Sequence, residues 1–321
     1  MPAIATFPDY QQDLQLLSAG KTDRCLSDMV EPYLAHLDAS PKSVATYRRC
    51  LKQLFNWLSL NGIGAPTRED MIAYRDAMLE NHKATTVQTY LTVCRLFFNW
   101  LGAKKVYDKI FEETVRGPRV DHEHKRDYLT EGQLETVLDK ISRDSVQGKR
   151  DYAMLVLMAT SGLRCIEVSR ANIGDIRPHA GHTVIFVQGK GHMEKAQHVK
   201  VCADAERAVR EYLAARGESN EDAPLFASES SNCKGNRLST VTISCTVKKF
   251  FKAAGFNSSR LTAHSLRHTA VTLALKDGAR LDEAQRFARH ANIQTTMIYN
   301  HSLEDADNSC ADRVGKLIFH H

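Results

Sequence analysis

The sequence lacks the cysteine patterns of a metal site or a disulfide framework. Its eight cysteines are scattered along 321 residues, without a CxxC pair and without the ligand spacing of zinc sites. We therefore expect reduced cysteines with packing roles and no bound metal. A reducing cytosol is the compartment that suits such thiols.

Targeting and membrane-spanning segments are also missing from the pattern. The opening residues, MPAIATFPDYQQD, have neither the basic start nor the apolar core of a signal peptide, and no apolar run approaches membrane-spanning length. We expect a cytoplasmic protein without a membrane partner. The net charge excludes few classes of function, because 43 basic and 38 acidic residues leave a value of only +5. This excess permits nucleic-acid binding without demanding it.

The length and the apolar content favour two domains. The pattern divides the chain into a short N-terminal arm (1–22), a helical domain (23–115), a charged linker (116–127) and a second domain with a C-terminal tail (128–321). The linker is predicted from its dense charge and from a Gly-Pro pair that interrupts helix.

An internal repeat organises the first domain. The stretch SVATYRRCLKQLFNWL from Ser43 resembles TVQTYLTVCRLFFNWL from Thr86, and each copy places its aromatic residues on one helical stripe. Thr67 is expected to cap a further helix that runs through Asn81. Core packing in a small bundle is the expected role of these aromatic residues.

Basic residues lie between the apolar positions of this bundle and continue into the linker. A solvated face and a DNA-facing surface both explain them. The residues proposed to face DNA are Arg48, Arg49, Lys52, Arg95 and Arg119.

The second domain opens with a capping box formed by Thr130 and Gln133. A buried helix follows and is predicted to stop at Gly162. Arg164 then lies at a turn into the next helix, and Glu167 follows one turn later, where it can hold or orient a nearby cation.

Residues 183–188 and 197–201 have patterns typical of β-strands, and their spacing predicts a hairpin. Lys190 is at its tip, between two glycines. A flexible tip can bring an ammonium group into a groove as a proton donor, although a solvated loop lysine also fits this position.

The last sixty residues carry His264, Arg267, His290 and Tyr299 on three predicted short helices. Histidine three residues before arginine places both on one helical face, where they can hold a phosphate. Histidine can also exchange a proton, and tyrosine offers a hydroxyl nucleophile. The set suggests covalent phosphoryl transfer, whereas each residue taken singly is more typical of a structural role.

The motifs TSGLRCIEV, a GKG hairpin, HSLRHT and RHANIQTTMIYNH occur in an order that resembles the tyrosine recombinase, or phage-integrase, family of the simple Xer-like two-domain type. The resemblance covers Tyr128 to His301, and the preceding bundle resembles the family's core-binding domain. It implies a mainly α protein with a SAM-like N-terminal helical bundle. The catalytic domain is then α+β, with a small antiparallel sheet.

The resemblance also implies a set of site residues. The implied catalytic residues are Arg164, Lys190, His264, Arg267, His290 and Tyr299. Glu167 resembles a supporting acidic residue, and His268 is expected to pack and hydrogen-bond within its helix. One departure concerns Arg289, which stands where the family usually has glycine, so that a bulky cation either crowds this turn or reaches another phosphate.

The chemistry that the resemblance implies is attack by Tyr299 on a scissile phosphate, which yields a 3′-phosphotyrosyl link. His264 is the candidate base or proton route, and Lys190 is the candidate acid. The implied reaction needs no cofactor, ATP or divalent ion. The implied partner is double-stranded DNA, bound as a homo-tetramer on two duplexes that exchange strands through a Holliday junction. Integration, excision and resolution fit equally. Two alternatives to site-specific recombination are the activity of a type IB topoisomerase and DNA binding without catalysis.

The two ends of the chain carry further expectations. We expect the segment before Thr22 to be too short for a separate arm-binding domain. The tail after Tyr299 ends in an apolar run of Val314, Leu317, Ile318 and Phe319. This run is expected to dock either on a neighbouring protomer or on its own domain.

Overall fold

The computed structural model describes residues 26–107, 115–119, 127–189, 194–304 and 318. The chain forms two compact units, which meet in sequence between residues 122 and 123. The predicted N-terminal arm, Lys190 at the hairpin tip and the C-terminal tail beyond Glu304, apart from Ile318, lie outside the described residues.

The first unit is a bundle of helices that follows a 3-10 turn at Leu26–Met29. Its helices are α1 (Val30–His36), α2 (Pro41–Leu60), α3 (Arg68–Asn81) and α4 (Ala84–Ala103). Thr67 caps α3, and its backbone N–H donates to the carboxylate of Asp70 at 2.7 Å. The predicted capped helix that ends at Asn81 is therefore confirmed.

The two repeat segments form α2 and α4, and their apolar faces supply most of the core of the first unit. Phe97 is fully buried, and its ring meets those of Tyr33 and Phe55 edge to face at 5.3 and 5.8 Å. Trp57 and Trp100 pack against the same core while remaining partly exposed. Core packing is therefore confirmed as the role of the repeated aromatic residues.

The second unit contains eight helices among its described residues. They are α5 (Glu131–Asp139), α6 (Val146–Ser161), α7 (Cys165–Arg170), α8 (Ala203–Arg216), α9 (Thr240–Ala253), α10 (Ala263–Lys276), α11 (Leu281–Ala288) and α12 (Gln294–Glu304). Helix α6 is the central element and packs against α8 and α10. It ends where predicted, because Gly162 takes a left-handed conformation with φ of 58°.

A small antiparallel sheet lies beside these helices in the order β1-β2-β3. Its strands are β1 (Ile176–His179), β2 (His182–Val187) and β3 (Gln197–Lys200). Ile185 at its centre pairs with Ile176 on one side and with Val199 on the other. The helical bundle and the mixed second unit confirm the predicted fold class, although the sequence indicated two strands rather than three.

The strand that the sequence did not reveal, β1, has a physical reason for its weak signal. Three of its four residues are exposed, and Pro178 removes one backbone donor, which only an edge strand tolerates. Its two-residue turn to β2 consists of Ala180 and Gly181, both with positive φ. Alanine is not the residue that normally marks such a turn.

Within the part of the chain that the structure describes, no helix combines the length and the apolar character needed to cross a bilayer.

Candidate active site

Arg164 and Glu167 form the first part of the site at the start of α7. The Glu167 carboxylate accepts hydrogen bonds from the backbone N–H and from Nη1 of Arg164, both at 2.8 Å. Glu167 is fully buried, whereas 29% of the Arg164 side chain remains exposed. The carboxylate therefore holds the arginine while part of its side chain stays exposed to solvent.

Arg267 lies on α10 and is the largest fully buried side chain of the described residues. Its Nη1 donates to the Gly162 carbonyl at 2.6 Å, and its Nη2 donates to the Ala288 carbonyl. Burial lowers its pKa to about 9, and the positive charges of Arg164 and Arg289 act in the same direction. Arg267 therefore stays charged at neutral pH in a place where an added anion would stabilise it.

The turn after α11 carries His290. Its Nδ1 lies 2.9 Å from the Thr296 hydroxyl, and its carbonyl accepts a hydrogen bond from the Gln285 amide at 3.1 Å. Burial, followed by the charges of Arg267 and Arg164, lowers the pKa of His290 to about 4. The imidazole is thus neutral at pH 7. When Thr296 donates to Nδ1, the ring proton is on Nε2 and can be donated to a ligand.

Tyr299 lies on α12 and is only 4% exposed. Its ring centre is 4.2 Å from that of His268 and 5.8 Å from that of His290. It belongs to a small apolar cluster that includes Val271 and Ala288. The candidate nucleophile is therefore packed between two imidazoles inside the protein.

The structure thus brings most of the predicted catalytic residues together around the ends of α6 and α11. His264 is half-buried one turn before Arg267, and its ring centre is 6.3 Å from that of His268. His268 is buried, as expected of a packing residue. Lys190, the predicted proton donor, lies outside the described residues. Lys195, which follows five residues later in the same connection between β2 and β3, pairs with Asp175 at 2.5 Å.

The structure adds contacts that the sequence reading missed. Thr296 is fully buried and holds His290, and the Gly162 carbonyl accepts from both Arg267 and Arg289. A threonine six residues after the histidine is a weak signal, and a backbone carbonyl carries no sequence signal at all. Arg289 points its guanidinium inward to Glu167 at 2.7 Å, so it neither crowds the turn nor reaches outward.

The residues predicted to face DNA belong to the first unit. Arg49, Lys52 and Arg119 are exposed, whereas Arg95 is partly buried. Arg48 is also exposed, but its guanidinium forms a two-point pair with Glu31 at 2.8 and 2.7 Å. A phosphate would have to compete with this carboxylate for Arg48.

Among the described residues, no group of three or more histidine, cysteine, aspartate or glutamate side chains has the arrangement of a metal site. The six cysteines that the structure describes are all free thiols.

Comparison with protein families gives two matches. The model of the phage integrase family matches residues 127–305, which is more than half of the chain. The model of the phage integrase N-terminal SAM-like domain matches residues 30–105.

Known relatives match over most of their length. The tyrosine recombinase XerD of Proteus mirabilis is 30% identical over 270 residues, which cover 82% of this chain and 83% of the relative. The tyrosine recombinase XerC of Herpetosiphon aurantiacus is 27% identical over 293 residues, which cover 87% of this chain and 92% of the relative.

Solved structures share the fold at lower identity. The XerH site-specific recombinase bound to palindromic difH substrate in a post-cleavage complex gives a TM-score of 0.72 at 19% identity, covering 97% of this chain and 91% of that chain. A lambda integrase dimer bound to a COC′ core site gives a TM-score of 0.68 at 17% identity, covering 85% and 93%.

Proposed function

Because the chain belongs to the phage integrase family, we propose that it is a site-specific tyrosine recombinase acting on double-stranded DNA. It cleaves and rejoins strands through a covalent 3′-phosphotyrosyl intermediate and a Holliday junction. The observation that carries this proposal is the meeting of Arg164, Arg267 and His290 with Tyr299 around the ends of α6 and α11. Relatives named tyrosine recombinases support the same reaction.

The two arginines provide the phosphate site in this proposal. Arg267 is buried and hydrogen-bonds to neutral carbonyls, while the Arg164 side chain is 29% exposed. Both stabilise the charge that grows on the non-bridging oxygens, an effect typically of about 3 kcal/mol per well-placed donor. His290 adds a neutral N–H donor to the same phosphate.

The bond changes balance without a cofactor. The Tyr299 hydroxyl oxygen bonds to phosphorus, and the bond from phosphorus to the 5′ oxygen breaks. His264 accepts the tyrosine proton, and Lys190 gives a proton to the leaving 5′ oxygen. The phosphotyrosyl bond retains the energy of the phosphodiester, so rejoining requires no ATP. Because cationic side chains neutralise the phosphate, the mechanism needs no divalent ion.

Tyr299 must leave its packed position before it can attack. Its ring is almost completely excluded from solvent between His268 and His290. DNA binding therefore has to expose the hydroxyl, which makes cleavage depend on assembly of the complex.

Four protomers on two duplexes are the proposed assembly, because strand exchange requires four cleavages. The exposed residues Arg49, Lys52 and Arg119 supply phosphate contacts. The proposed compartment is a reducing cytosol, which the free thiols of the described cysteines support.

The decisive experiment is covalent trapping on DNA. A random-sequence library of nicked duplexes is incubated with the protein, and adducts that survive denaturing electrophoresis are sequenced to define the site. Replacing Tyr299 by phenylalanine should abolish adducts while DNA binding persists. Tyr152→Phe, in the same unit, should leave adducts at the wild-type level. Persistent adducts in the Tyr299 variant would refute the assignment.

A second experiment addresses the proton donor. Lys190→Ala should slow cleavage of the trapped site by at least about a hundredfold, within the range typical of general acids. A substrate with sulfur at the 5′ bridging position should restore the rate, because sulfur leaves without a proton. Lys195→Ala is the matched control and should need no such rescue. Equal slowing of both substrates by the Lys190 change would contradict the proposed role.

A further inference from the structure

Arg289 occupies a backbone conformation that does not favour it. Its φ of 54° and ψ of 46° lie in the left-handed region, where the β-carbon comes too close to the following carbonyl oxygen. Among the described residues only Lys105 and Ala180 share a positive φ without being glycine. Such strain persists where other contacts compensate for it and often marks functional sites.

The compensation comes from the Arg289 side chain, which is only 4% exposed. Nη2 donates to Glu167 at 2.7 Å and to the Gly162 carbonyl at 3.3 Å, and Nη1 donates to the Phe287 carbonyl at 3.0 Å. The Arg289 carbonyl in turn accepts from Nη2 of Arg164 at 3.4 Å. One residue therefore ties the end of α6, the start of α7 and the end of α11 together.

Glu167 depends on this contact because it is buried between two guanidinium groups. Burial by itself would raise the pKa of its carboxyl. Arg289, followed by the backbone N–H and the guanidinium of Arg164, outweighs burial and keeps that pKa below the usual value. Without Arg289, the buried charge would rely on Arg164 alone, and the arginine that must meet the phosphate would be drawn inward.

Direct contact with DNA does not fit Arg289. Its Nη2 is already paired with the Glu167 carboxylate at 2.7 Å, which balances its charge, whereas both Nη atoms of Arg267 donate to neutral carbonyls. It also leads directly into His290, whose carbonyl is held by Gln285. Its position therefore affects two groups of the proposed phosphate site without reaching the phosphate.

We propose that Arg289 is a positioning residue for strand cleavage. Through Glu167 it fixes the guanidinium of Arg164, and through its own backbone it fixes the turn that presents His290. This inference rests on the proposed recombinase function.

The test separates positioning from a merely structural role, because the two give opposite results for Arg289→Gly. A merely structural role predicts that the folded variant cleaves at the wild-type rate, even where the loss of the Glu167 partner lowers its stability. Positioning predicts single-turnover cleavage at least about tenfold slower, with the dissociation constant for DNA changed by less than about threefold. Arg289→Lys should recover part of the rate, because it restores the cation without the planar fork.

A mutant cycle with Glu167→Gln tests the pathway through the carboxylate. Once Glu167 is neutral, replacing Arg289 should slow cleavage by clearly less than it does in the wild-type background. The control is Arg286→Ala, which removes an exposed cation from α11 and should leave cleavage unchanged. If Arg289→Gly fails to fold, Arg289→Asn provides a second neutral residue that tolerates the left-handed region.

The outcomes distinguish this inference from the function on which it rests. Absence of any Tyr299-dependent adduct with the wild-type chain would overturn the proposed function, and the role of Arg289 with it. Wild-type adducts together with an unchanged rate in Arg289→Gly and Arg289→Asn would overturn only the positioning role. The positioning role would also be overturned if the rate losses of Arg289→Gly and Glu167→Gln simply multiplied in the double variant.

Discussion

His290 is kept neutral by its surroundings. It lies near the guanidinium groups of Arg164 and Arg267, and burial together with these charges lowers its pKa to about 4. An unfolded chain returns the imidazole to its ordinary pKa of about 6.5. Between these two values, the unfolded state binds the proton and the folded state does not.

This difference predicts acid sensitivity of the DNA-free protein. Because the unfolded state binds more protons in this window, the free energy of unfolding falls as pH decreases from about 6.5 towards about 4. After allowance for partial solvent exposure, the His290 contribution between about pH 7 and about pH 5 is on the order of 1 kcal/mol. Urea unfolding of His290→Gln should show a shallower loss over this range. The exposed His182→Gln control should follow the wild type. Parallel losses in the wild type and in His290→Gln would contradict the prediction.

The orientation of the Arg289 side chain could not be predicted from the sequence. The pattern identified Arg289 as a departure from the family but left its direction open. The Arg289 side chain points inward because it pairs with Glu167, which lies 122 residues earlier in the chain. Only the fold brings the two groups to 2.7 Å. Histidine and arginine at helical spacing were locally readable, whereas the carbonyl acceptors of Arg267 were not.

Helices depend more than strands on the local sequence. Helix α3 could be read directly, because its capping residues and its apolar spacing occupy one continuous stretch. Strand β1 could not be read, because its four residues depend on pairing with β2 and its turn lacks the usual Asn-Gly pair. The same limit applies to other short edge strands that have little buried surface.

Local capping makes a prediction for α5. The Thr130 hydroxyl accepts from the Gln133 N–H at 3.4 Å, and the Gln133 side chain accepts from the Thr130 N–H at 2.9 Å. Thr130→Ala should lower the free energy of unfolding of the second unit by about 1 kcal/mol. Thr136→Ala is the matched control. Thr136 lies on the same helix but only bonds back to the Gly132 carbonyl, so its loss should be close to neutral. Chemical unfolding followed by circular dichroism measures both, and equal losses would argue against a capping contribution.

Among the described residues, each compact unit has its own large apolar core. Residues from Met29 to Val115 form the first core, and residues from Leu129 to Leu266 form most of the second. From the sequence, the helical repeat and the later motifs indicate two domains. The packing around the candidate active site was less predictable, because Tyr299 joins a smaller apolar cluster assembled from α10, α11 and α12.

Separate cores predict separate responses to core mutations. Phe97 is fully buried in the first unit, and Phe97→Ala should destabilise that unit by about 3 to 5 kcal/mol through lost burial and the cavity left behind. Calorimetry of the full chain should then show one transition at a lower temperature and the other unchanged. Leu157→Ala, in the core of the second unit, should shift the other transition instead. Leu96→Ala is the matched control beside Phe97, because Leu96 is 42% exposed. A single common transition that moves with either core variant would show that the two cores unfold together.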